Sequence, residues 1–510
     1  MAHNTESTAS TATARSLAGL GEVEKRVLSY AAAMGKEFDF SVLAVAIEMD
    51  EEPLAEVLER LVHLGVLKEL KGGDSYTFVR SDTLAQAYGD ISSSRLRVVH
   101  KKIAEAYEKL YPDPTPAIIP EMGRHYHLGR LHDKSLICNR YAARLAVNAF
   151  SPDVAIRHLE RAREDLAALP GDHRLEEADI LKEIGEQNGA MGDNAKANEF
   201  YGESLKKLPE EEVTLRALLL LSRADANRMM DKLVLTREYC GEALKLLEKM
   251  GHKKGLAMTH RILAQTAFKE GSYDIAKKEI ETTLRYFDPE KDIRDLAVCY
   301  IDLGNVYSEG GEPGGVEKAL DYYRRAISTI EPIHDYHELS RAHNNLAITL
   351  MPAHPQEAKE EIKKAQEYSE KAKDRRGLGW RLFNSVDICL ALGQVDEAVR
   401  DNEEAGKILS LLNDPFGVEQ VALNKGIIAQ YRKSFEESEK EYLAALKRAE
   451  ALGYPPVVTE VLIHMAMMYF EWGRKEEASI AINRIKAVGG SHVSPTYQSA
   501  YENLKTQLGL

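Results

Sequence analysis

Cysteine is scarce in this chain of 510 residues, and its four copies are far apart. Cys138, Cys240, Cys299 and Cys389 form no CxxC pair, so we expect small buried thiols in a reducing cytoplasm rather than disulfides. A run of apolar residues long enough to cross a bilayer is also missing. The first residues, MAHNTESTASTATAR, are polar and lack the apolar core of a secretory signal, so we expect a disordered tail over residues 1–16.

Sequence signatures of catalysis are missing as well. The chain has no GxxxxGK[ST] phosphate-binding loop, no GxSxG elbow and no HExxH zinc motif. The glycine-rich stretch from Gly310 to Gly315 joins two predicted helices, so we interpret it as a long turn rather than a phosphate cradle. His125, His127 and His132 have no cysteine or carboxylate cluster at ligand spacing, so we expect no metal there. The sequence therefore predicts a protein that is not an enzyme and needs no cofactor.

Positive charge is in deficit. Lysine and arginine number 67 against 81 aspartates and glutamates, which gives a net charge of -14. A broad nucleic-acid-binding surface needs excess positive charge to replace the counterions around phosphates, so this balance argues against a nucleic-acid partner. With 44% hydrophobic and 29% charged residues, we expect a soluble cytoplasmic protein with protein partners and no membrane contact.

What the sequence does contain is a repeated helical hairpin. The segment Glu270–Phe287, EGSYDIAKKEIETTLRYF, starts with a turn residue, Gly271, and continues as a helix with small and apolar residues on one face. Related segments recur, with turn positions about 40 residues apart at 192, 231, 271, 311, 352, 393, 433 and 473. This period is typical of a helical solenoid, in which each hairpin buries its apolar face against its neighbours.

These patterns predict an all-α protein, a right-handed solenoid of hairpins with a small winged-helix domain at the N-terminus. The winged helix rests on three predicted helices, the second from Phe38 to Glu48, followed by two short strands, residues 66–70 and 75–79, around the tight turn KGGD. The predicted boundaries are 1–16 for the tail, 17–80 for the winged helix, 81–118 for a helical connector, 119–490 for the solenoid and 491–510 for a C-terminal capping helix.

The third helix of the predicted winged helix is acidic. It carries Glu51, Glu52, Glu56 and Glu59, and a helix in the DNA major groove would bring those carboxylates towards phosphates. We therefore expect this domain to pack against the repeats rather than to bind DNA.

Two N-terminal segments resemble the region that follows the nucleotide-binding module of STAND-type signalling ATPases such as the maltose-regulon activator. They read GKEFDFSVLAVAIEMDEEPLAEVLERLVHLGVLKEL and YTFVRSDTLAQAYGDISSSRLRVVHKKIAEAYEKL. The resemblance covers about residues 17–169 and implies a winged helix that leads into helical repeats. The family's phosphate-binding loop would lie upstream, where this sequence has a polar tail, so its ATPase activity is not carried over.

From about residue 120 to 488 the chain resembles tetratricopeptide-repeat (TPR) arrays, including those of kinesin light chains and bacterial peptide-pheromone receptors. The family's "LG…Y" pattern is present at Ile184-Gly185 and at Leu303-Gly304 with Tyr307. This resemblance implies that the first helix of each hairpin lines a groove that holds a peptide or protein segment.

Placing the hairpins in register on the small residue of their second helices predicts the lining of that groove. One equivalent position is occupied by Asp302, Asn345, Asn384, Asn424 and His464. Neighbouring inward rows add Arg261, Gln265, Asn305, Arg341, Asn344, Trp380 and Asp387. An asparagine amide both donates and accepts, so a ladder of them can bind a peptide main chain, while pockets near Trp380 and Phe383 select side chains. Alternatively, these polar groups bond between adjacent helices or face solvent.

Three functions follow from this pattern. The first is a non-enzymatic scaffold or regulatory adaptor that binds a peptide or protein segment in the groove. The second is a transcriptional regulator whose winged helix binds DNA under control of a bound effector. The third is a partner subunit of a separately encoded signalling ATPase. Homo-oligomer formation is left open in all three.

Overall fold

The computed structural model describes residues 19–149, 151–412, 414–453, 455–487, 493 and 495–510. The predicted tail, residues 1–16, lies outside them. The chain divides into two compact units, called unit 1, up to Leu246, and unit 2, from Leu247 onward. No helix among the described residues combines the length and the hydrophobicity needed to cross a bilayer. Cys240, Cys299 and Cys389 are buried and Cys138 is half-buried, all as free thiols.

Unit 1 begins with helices and a small antiparallel sheet. The elements are α1 (Glu22–Met34), β1 (Glu37–Asp39), α2 (Phe40–Ile47), α3 (Glu51–His63), β2 (Leu67–Glu69) and β3 (Ser75–Phe78). The strand order is β1-β3-β2, and Phe38 lies opposite Tyr76. The sequence analysis assigned Phe38 to a helix, which is wrong: β1 pairs with β3, and α2 begins only after Asp39, whose side chain accepts from the Val42 amide at 2.9 Å.

Two further helices complete the core of this region. They are α4 (Ser81–Gly89) and α5 (Ser93–Leu110). Ala87, Val99 and Ile103 belong to the same buried cluster as Val27 and Leu58. The segment predicted as a connector, residues 81–118, therefore contributes apolar side chains to the N-terminal core.

Within the described residues, the rest of unit 1 is a series of seven helices, and each of the first six packs against its neighbours among them in the chain. They are α6 (Ile119–Gly129), α7 (His132–Asn148), α8 (Pro152–Ala168), α9 (Arg174–Ala190), α10 (Asn194–Lys207), α11 (Val213–Met229) and α12 (Leu233–Met250). Arg124 of α6 donates to the carbonyl oxygens of Ala33, at 3.2 Å, and Met34, at 2.6 Å. These bonds satisfy carbonyls at the end of α1 that have no partner within their own helix.

Unit 2 consists of six antiparallel hairpins and a final helix over its described residues. The elements are α13 (Lys253–Lys269), α14 (Tyr273–Leu284), α15 (Ile293–Glu309), α16 (Gly315–Ile330), α17 (Tyr336–Leu350), α18 (Pro355–Lys371), α19 (Arg375–Ala391), α20 (Val395–Leu411), α21 (Pro415–Tyr431), α22 (Phe435–Leu452), α23 (Pro455–Glu471), α24 (Lys475–Ala487) and α25 (Pro495–Leu508). The first helices of successive hairpins, α13 to α23, contact one another. Their shared surface is called the inner face.

The predicted turn positions are confirmed, because each of the eight lies between two consecutive helices. A positive φ, which ends the first helix of a hairpin, occurs at Gly192, Asp231, Gly271, Gly311, Gly393, Lys433 and Gly473. Position 352 is a proline and has no such conformation. The spacing of about 40 residues in the sequence therefore reflects the point at which each hairpin reverses direction.

Aspartates join consecutive hairpins of unit 2. Asp335, Asp374 and Asp414 are the N-cap residues of α17, α19 and α21, and one oxygen of each accepts a backbone amide of its own helix at 2.8–3.1 Å. The other oxygen faces a cationic or histidine side chain near the start of the preceding first helix. These contacts are Arg294 with Asp335 at 2.8 Å, His337 with Asp374 at 3.6 Å and Arg376 with Asp414 at 2.9 Å.

In five of the six described hairpins of unit 2, a small residue of the first helix shares a cluster or a contact with a larger one of the second. A Cβ atom added to Gly304 would lie 2.4 Å from the ring of Tyr323, and Gly426 stands in the same relation to Tyr442. In three other hairpins of unit 2, an alanine stands at the position of the glycine and an isoleucine at the position of the tyrosine. The two residues of each pair belong to one buried cluster. These pairs are Ala264 with Ile280, Ala347 with Ile362 and Ala466 with Ile482.

This size matching can be tested by a mutant cycle. We expect Gly304→Ala to lower the free energy of unfolding by about 1–3 kcal/mol, because the new methyl group overlaps the Tyr323 ring. The loss should shrink when Tyr323→Ile is already present, since isoleucine leaves the space that alanine needs. Urea denaturation of the single and double variants measures the coupling.

The control is Gly241→Ala in α12, where an added Cβ would meet no atom within 4 Å. We expect that change to be neutral or to stabilise by about 0.5–1 kcal/mol, because alanine is the better helix former. If Gly304→Ala costs the same stability with and without the Tyr323→Ile change, ring contact does not limit this position.

Candidate functional site

The predicted groove residues lie on the inner face in the predicted register. Asp302, Asn345, Asn384 and Asn424 each stand ten residues after the N-cap of their own helix. Their side chains therefore point in equivalent directions from α15, α17, α19 and α21. What differs between them is the group that each side chain contacts.

Four asparagines form a continuous chain of hydrogen bonds across three first helices. Asn384 Nδ2 donates to Asn344 Oδ1 at 2.9 Å, and Asn344 Nδ2 donates to Asn345 Oδ1 at 3.0 Å. Asn345 Nδ2 then donates to Asn305 Oδ1 at 2.8 Å, and Tyr323 Oη donates to the same oxygen. The amide orientations follow from this network. The interhelical contacts that the sequence analysis offered as an alternative are thus present, and they use much of the bonding capacity of these amides.

Bonding capacity remains at the two ends of the amide chain. Asn384 Oδ1 accepts no hydrogen bond from a described residue, and Asn305 Nδ2 donates none. Both side chains are half-buried on the inner face. The free acceptor on α19 and the free donor on α15 are two hairpins apart, so they match N–H and C=O groups of different residues of an extended chain.

Asp302 has an unsatisfied carboxylate oxygen on this face. Its side chain is 9% exposed, and its Oδ2 atom has no hydrogen-bond partner among the described residues. Burial raises the pKa of this carboxyl, against the opposing effects of Arg341, Arg261 and Gln265. Arg341, Arg261 and Gln265, which were also predicted to line the groove, therefore lie close to Asp302 and offset its charge only in part.

An aromatic cluster adjoins the amide chain. The ring of Trp380 lies 5.5 Å from Phe383 and 5.6 Å from Phe416, measured between centroids. Trp380 and Phe383 are half-buried, and Phe416 is 40% exposed. The sequence analysis named the first two and missed Phe416, which lies near the start of the next first helix, α21. The cluster offers an apolar surface beside polar groups.

Asn424 and His464 are less available than predicted. Asn424 is 2% exposed, and its Nδ2 donates to the backbone oxygen of Phe383 at 3.4 Å. His464 packs edge-on against Tyr497 of α25 at 5.2 Å, and burial lowers its pKa to about 4. The C-terminal helix, predicted as a cap, thus contacts this end of the inner face.

Acidic groups lie beyond the aromatic cluster. Asp387 is accessible to water from the inner face but surrounded by protein on its other sides; this partial desolvation, together with the charge of Glu460, raises the pKa of its carboxyl to about 6. Glu460 accepts from Gln420 Nε2 at 2.9 Å and from Tyr497 Oη at 2.8 Å. The sequence analysis missed Gln420 and Glu460, although both lie one helical turn before the ladder position.

A buried glutamate anchors the basic part of the face. Glu338 pairs with Arg341 at 2.5 Å and with Arg294 at 3.3 Å. Burial disfavours its charge, but His337, Arg341 and Arg294 outweigh that effect and lower its pKa to about 2. Arg341 therefore has one nitrogen held in place, which orients its guanidinium beside Asp302.

No group of three or more histidine, cysteine, aspartate or glutamate side chains suited to a metal ion occurs among the described residues. His127 and His132, considered as ligands in the sequence analysis, instead hydrogen bond to Asp165 of unit 1 through Nδ1, at 3.0 Å and 2.7 Å. His125 contacts His100, with 2.9 Å between the two Nδ1 atoms.

With this geometry established, the chain can be compared with known proteins. No family model matches it. The helices form a TPR-like helical-repeat fold. The human protein "Tetratricopeptide repeat protein 19, mitochondrial" (Homo sapiens) is 22% identical over 265 residues, which make up 47% of this chain and 68% of that protein.

Solved structures of other proteins are also similar to this chain. A STAND protein with a tetratricopeptide repeat sensor from Pyrococcus horikoshii shares 16% identity at a TM-score of 0.42; the match covers 96% of this chain and 66% of that one. A Rap protein complexed with competence and sporulation factor shares 14% identity at a TM-score of 0.44, over 66% of this chain and 99% of that one. These likenesses concern the fold alone.

The unpaired carboxylate should make the inner face less stable than it could be. We expect Asp302→Asn to raise the free energy of unfolding at pH 7 by about 1 kcal/mol, because it removes a buried charge without an adequate partner. Since the folded state raises the pKa of Asp302, the advantage of the variant should grow as pH rises from the unfolded value to that pKa and stay constant above it. It should vanish below the unfolded value, where both states are protonated.

Urea denaturation of both proteins at several pH values tests this expectation. Asp321→Asn on the exposed side of α16 makes the same change in net charge and should leave stability within about 0.5 kcal/mol. A destabilised Asp302→Asn protein at pH 7 would mean that Arg261 and Arg341 fully compensate the carboxylate.

Proposed function

We propose that this protein is a non-enzymatic scaffold or regulatory adaptor, and that the inner face of unit 2 binds an extended peptide or protein segment. The observation that carries the proposal is the chain of asparagine amides across α15, α17 and α19. It ends in a free donor on α15 and in a free acceptor on α19, the helix that also carries Trp380. Main-chain groups of a ligand would bond to those ends, and one apolar side chain would contact the aromatic rings.

The charges beside the amide chain support a ligand with polar main-chain groups rather than a purely apolar one. Asp302 and Asp387 carry carboxyl groups with raised pKa values, so each would gain from a hydrogen-bond donor. Peptide N–H groups are such donors, and they bring no charge that would need a partner in turn. The N–H groups of an extended peptide would thus supply hydrogen bonds to the carboxyl groups of Asp302 and Asp387.

The N-terminal part of unit 1 belongs to the same proposal, as a winged helix that packs against the first hairpin. Its three helices and the strand order β1-β3-β2 support that assignment, and so do the bonds from Arg124 to the end of α1. DNA binding by this part is not favoured. Glu51, Glu52, Glu56 and Glu59 are all exposed on α3, where they would repel phosphates.

Peptide binding can be tested without knowing the natural ligand. A phage-displayed library of random peptides is selected on the full chain, and fluorescence polarisation then gives the dissociation constants of the peptides recovered. We expect Asn384→Ala and Asn305→Ala each to weaken binding about tenfold, the value of one lost hydrogen bond. Trp380→Ala should cost more, about 30-fold, since buried aromatic contacts dominate such interfaces.

Matched controls lie on second helices. Asn483→Ala in α24 and Leu443→Ala in α22 remove similar groups from exposed positions, and both should bind as the unchanged chain does. Failure to select any peptide, or peptides whose affinity is unchanged in all three inner-face variants, would refute the proposed site.

A further inference from the structure

Unit 1 contains a cavity that plays no part in the proposed peptide site. Its volume is about 620 Å³, and it lies where α4 meets α5, between the end of α6, the start of α7 and α8. Its lining includes Ser94, Arg97, His127, Arg130, His132 and Asp165. This volume is in the range of small-molecule sites, and the lining is polar, with two arginines, three histidines and two carboxylates among its residues.

A buried carboxylate organises one wall of the cavity. Asp165 is fully buried and accepts hydrogen bonds from His127, His132 and Ser135. Burial acts to raise its pKa, but the bonds from His127, Ser135 and His132 outweigh burial and lower it. Asp165 is therefore ionised, and its bond to His127 is the largest of the effects that raise the pKa of that histidine.

Both carboxylates of the lining are already engaged. Asp165 is bound by the two histidines, and Glu164 Oε2 lies 3.3 Å from Nε2 of His127. Arg97 and Arg130, by contrast, have no ion pair or side-chain hydrogen bond with any described residue. Two exposed guanidinium groups thus line one cavity without a direct partner among the described residues.

Arg130 reaches this position through an unusual backbone conformation. It has a φ of 59° at the end of α6, in the left-handed region that costs a side chain other than glycine about 1–2 kcal/mol. Neighbouring Gly129 allows close packing, since a Cβ there would lie 3.0 Å from the Lys101 amide nitrogen of α5. These features bring the end of α6 against α5 and hold Arg130 at the cavity.

The start of α5 adds hydrogen-bond donors. The first backbone bond of that helix runs from the Leu96 amide to the Ser92 oxygen, so the amides of Ser93 and Ser94 have no partner within the helix. Both serines line the cavity. Their hydroxyl groups and the helix dipole favour an anion, in addition to the two arginines.

We propose that this cavity binds the phosphate group of a small phosphorylated metabolite. Arg97 and Arg130 would pair with the phosphate oxygens, and the hydroxyl groups of Ser93 and Ser94 would donate to them. The remaining volume would hold the organic part of the molecule against Tyr88 and Leu96. A phosphate carries close to two negative charges at neutral pH, which matches the two unpaired guanidinium groups.

Isothermal titration calorimetry of the full chain tests the proposal with three probes: inorganic phosphate, glucose 6-phosphate and a phosphoserine peptide. Glucose without phosphate is the blank. We expect glucose 6-phosphate to bind at least as tightly as inorganic phosphate. The double variant Arg97→Gln/Arg130→Gln should weaken the binding of both ligands by about tenfold or more, because each phosphate group loses two charge-assisted bonds.

Two further variants distinguish a specific binding site from a general effect of net charge. Arg95→Gln/Arg144→Gln changes the net charge equally at exposed positions outside the cavity and should alter affinity by less than about twofold. Ser94→Asp places a carboxylate in the cavity without harming the start of α5, because acidic residues suit a helix N-terminus. It should abolish binding while the unfolding midpoint is kept.

Each remaining outcome counts against the proposal. Equal weakening in both arginine double variants would mean adventitious anion binding only. No heat with any phosphate probe at about 10 mM would exclude a useful site. Preference for the phosphoserine peptide over glucose 6-phosphate would overturn the assignment to a small metabolite. None of these outcomes affects the peptide site of unit 2.

Discussion

In the middle of unit 2, the first helix of a hairpin starts with an aspartate, and the inner face depends on the contacts that these aspartates make. Asp335, Asp374 and Asp414 each serve two partners: a backbone amide of their own helix and a side chain of the preceding hairpin. An N-cap fixes where its helix begins. When the same carboxylate also binds the preceding hairpin, the starts of neighbouring helices are tied together, and side chains at equal distances from them fall into rows.

Rows of this kind explain why the inner face contains both satisfied and unsatisfied polar groups. Residues in neighbouring rows on adjacent helices are close enough to bond, as Asn345 does with Asn305. Such bonds hold the helices in register and leave bonding groups free at the two ends of the amide chain. Asp302 stands at the position equivalent to Asn345, but its Oδ2 atom has no partner among the described residues. The free groups of the face thus lie where this bonding between helices stops.

The sequence allowed the helices, the turns and the rows to be predicted, because each follows from periodicity along one chain. Gly271 and Lys433 reverse the chain as the spacing indicated, and Asn384 stands in its predicted row. Periodicity does not determine which neighbour a polar group selects. The bond from Asn384 to Asn344 and the stacking of Phe416 on Trp380 depend on offsets of a few ångströms between helices. The short strand β1 was missed because its three residues pair only with a distant segment.

The two units use buried charge in different ways, and this difference bears on what each can bind. In unit 1, Asp165 is surrounded by donors from α6 and α7, so its charge is neutralised inside the protein and the nearby arginines stay available. In unit 2, Asp302 lacks such donors, and the arginines around it offset its charge only in part. A cavity with a satisfied anion and free cations favours a negatively charged ligand. A face with free amide ends and an unsatisfied carboxylate favours a neutral chain rich in N–H donors. The difference between a hydrogen-bonded carboxylate in unit 1 and an unsatisfied one in unit 2 therefore distinguishes the two ligand classes.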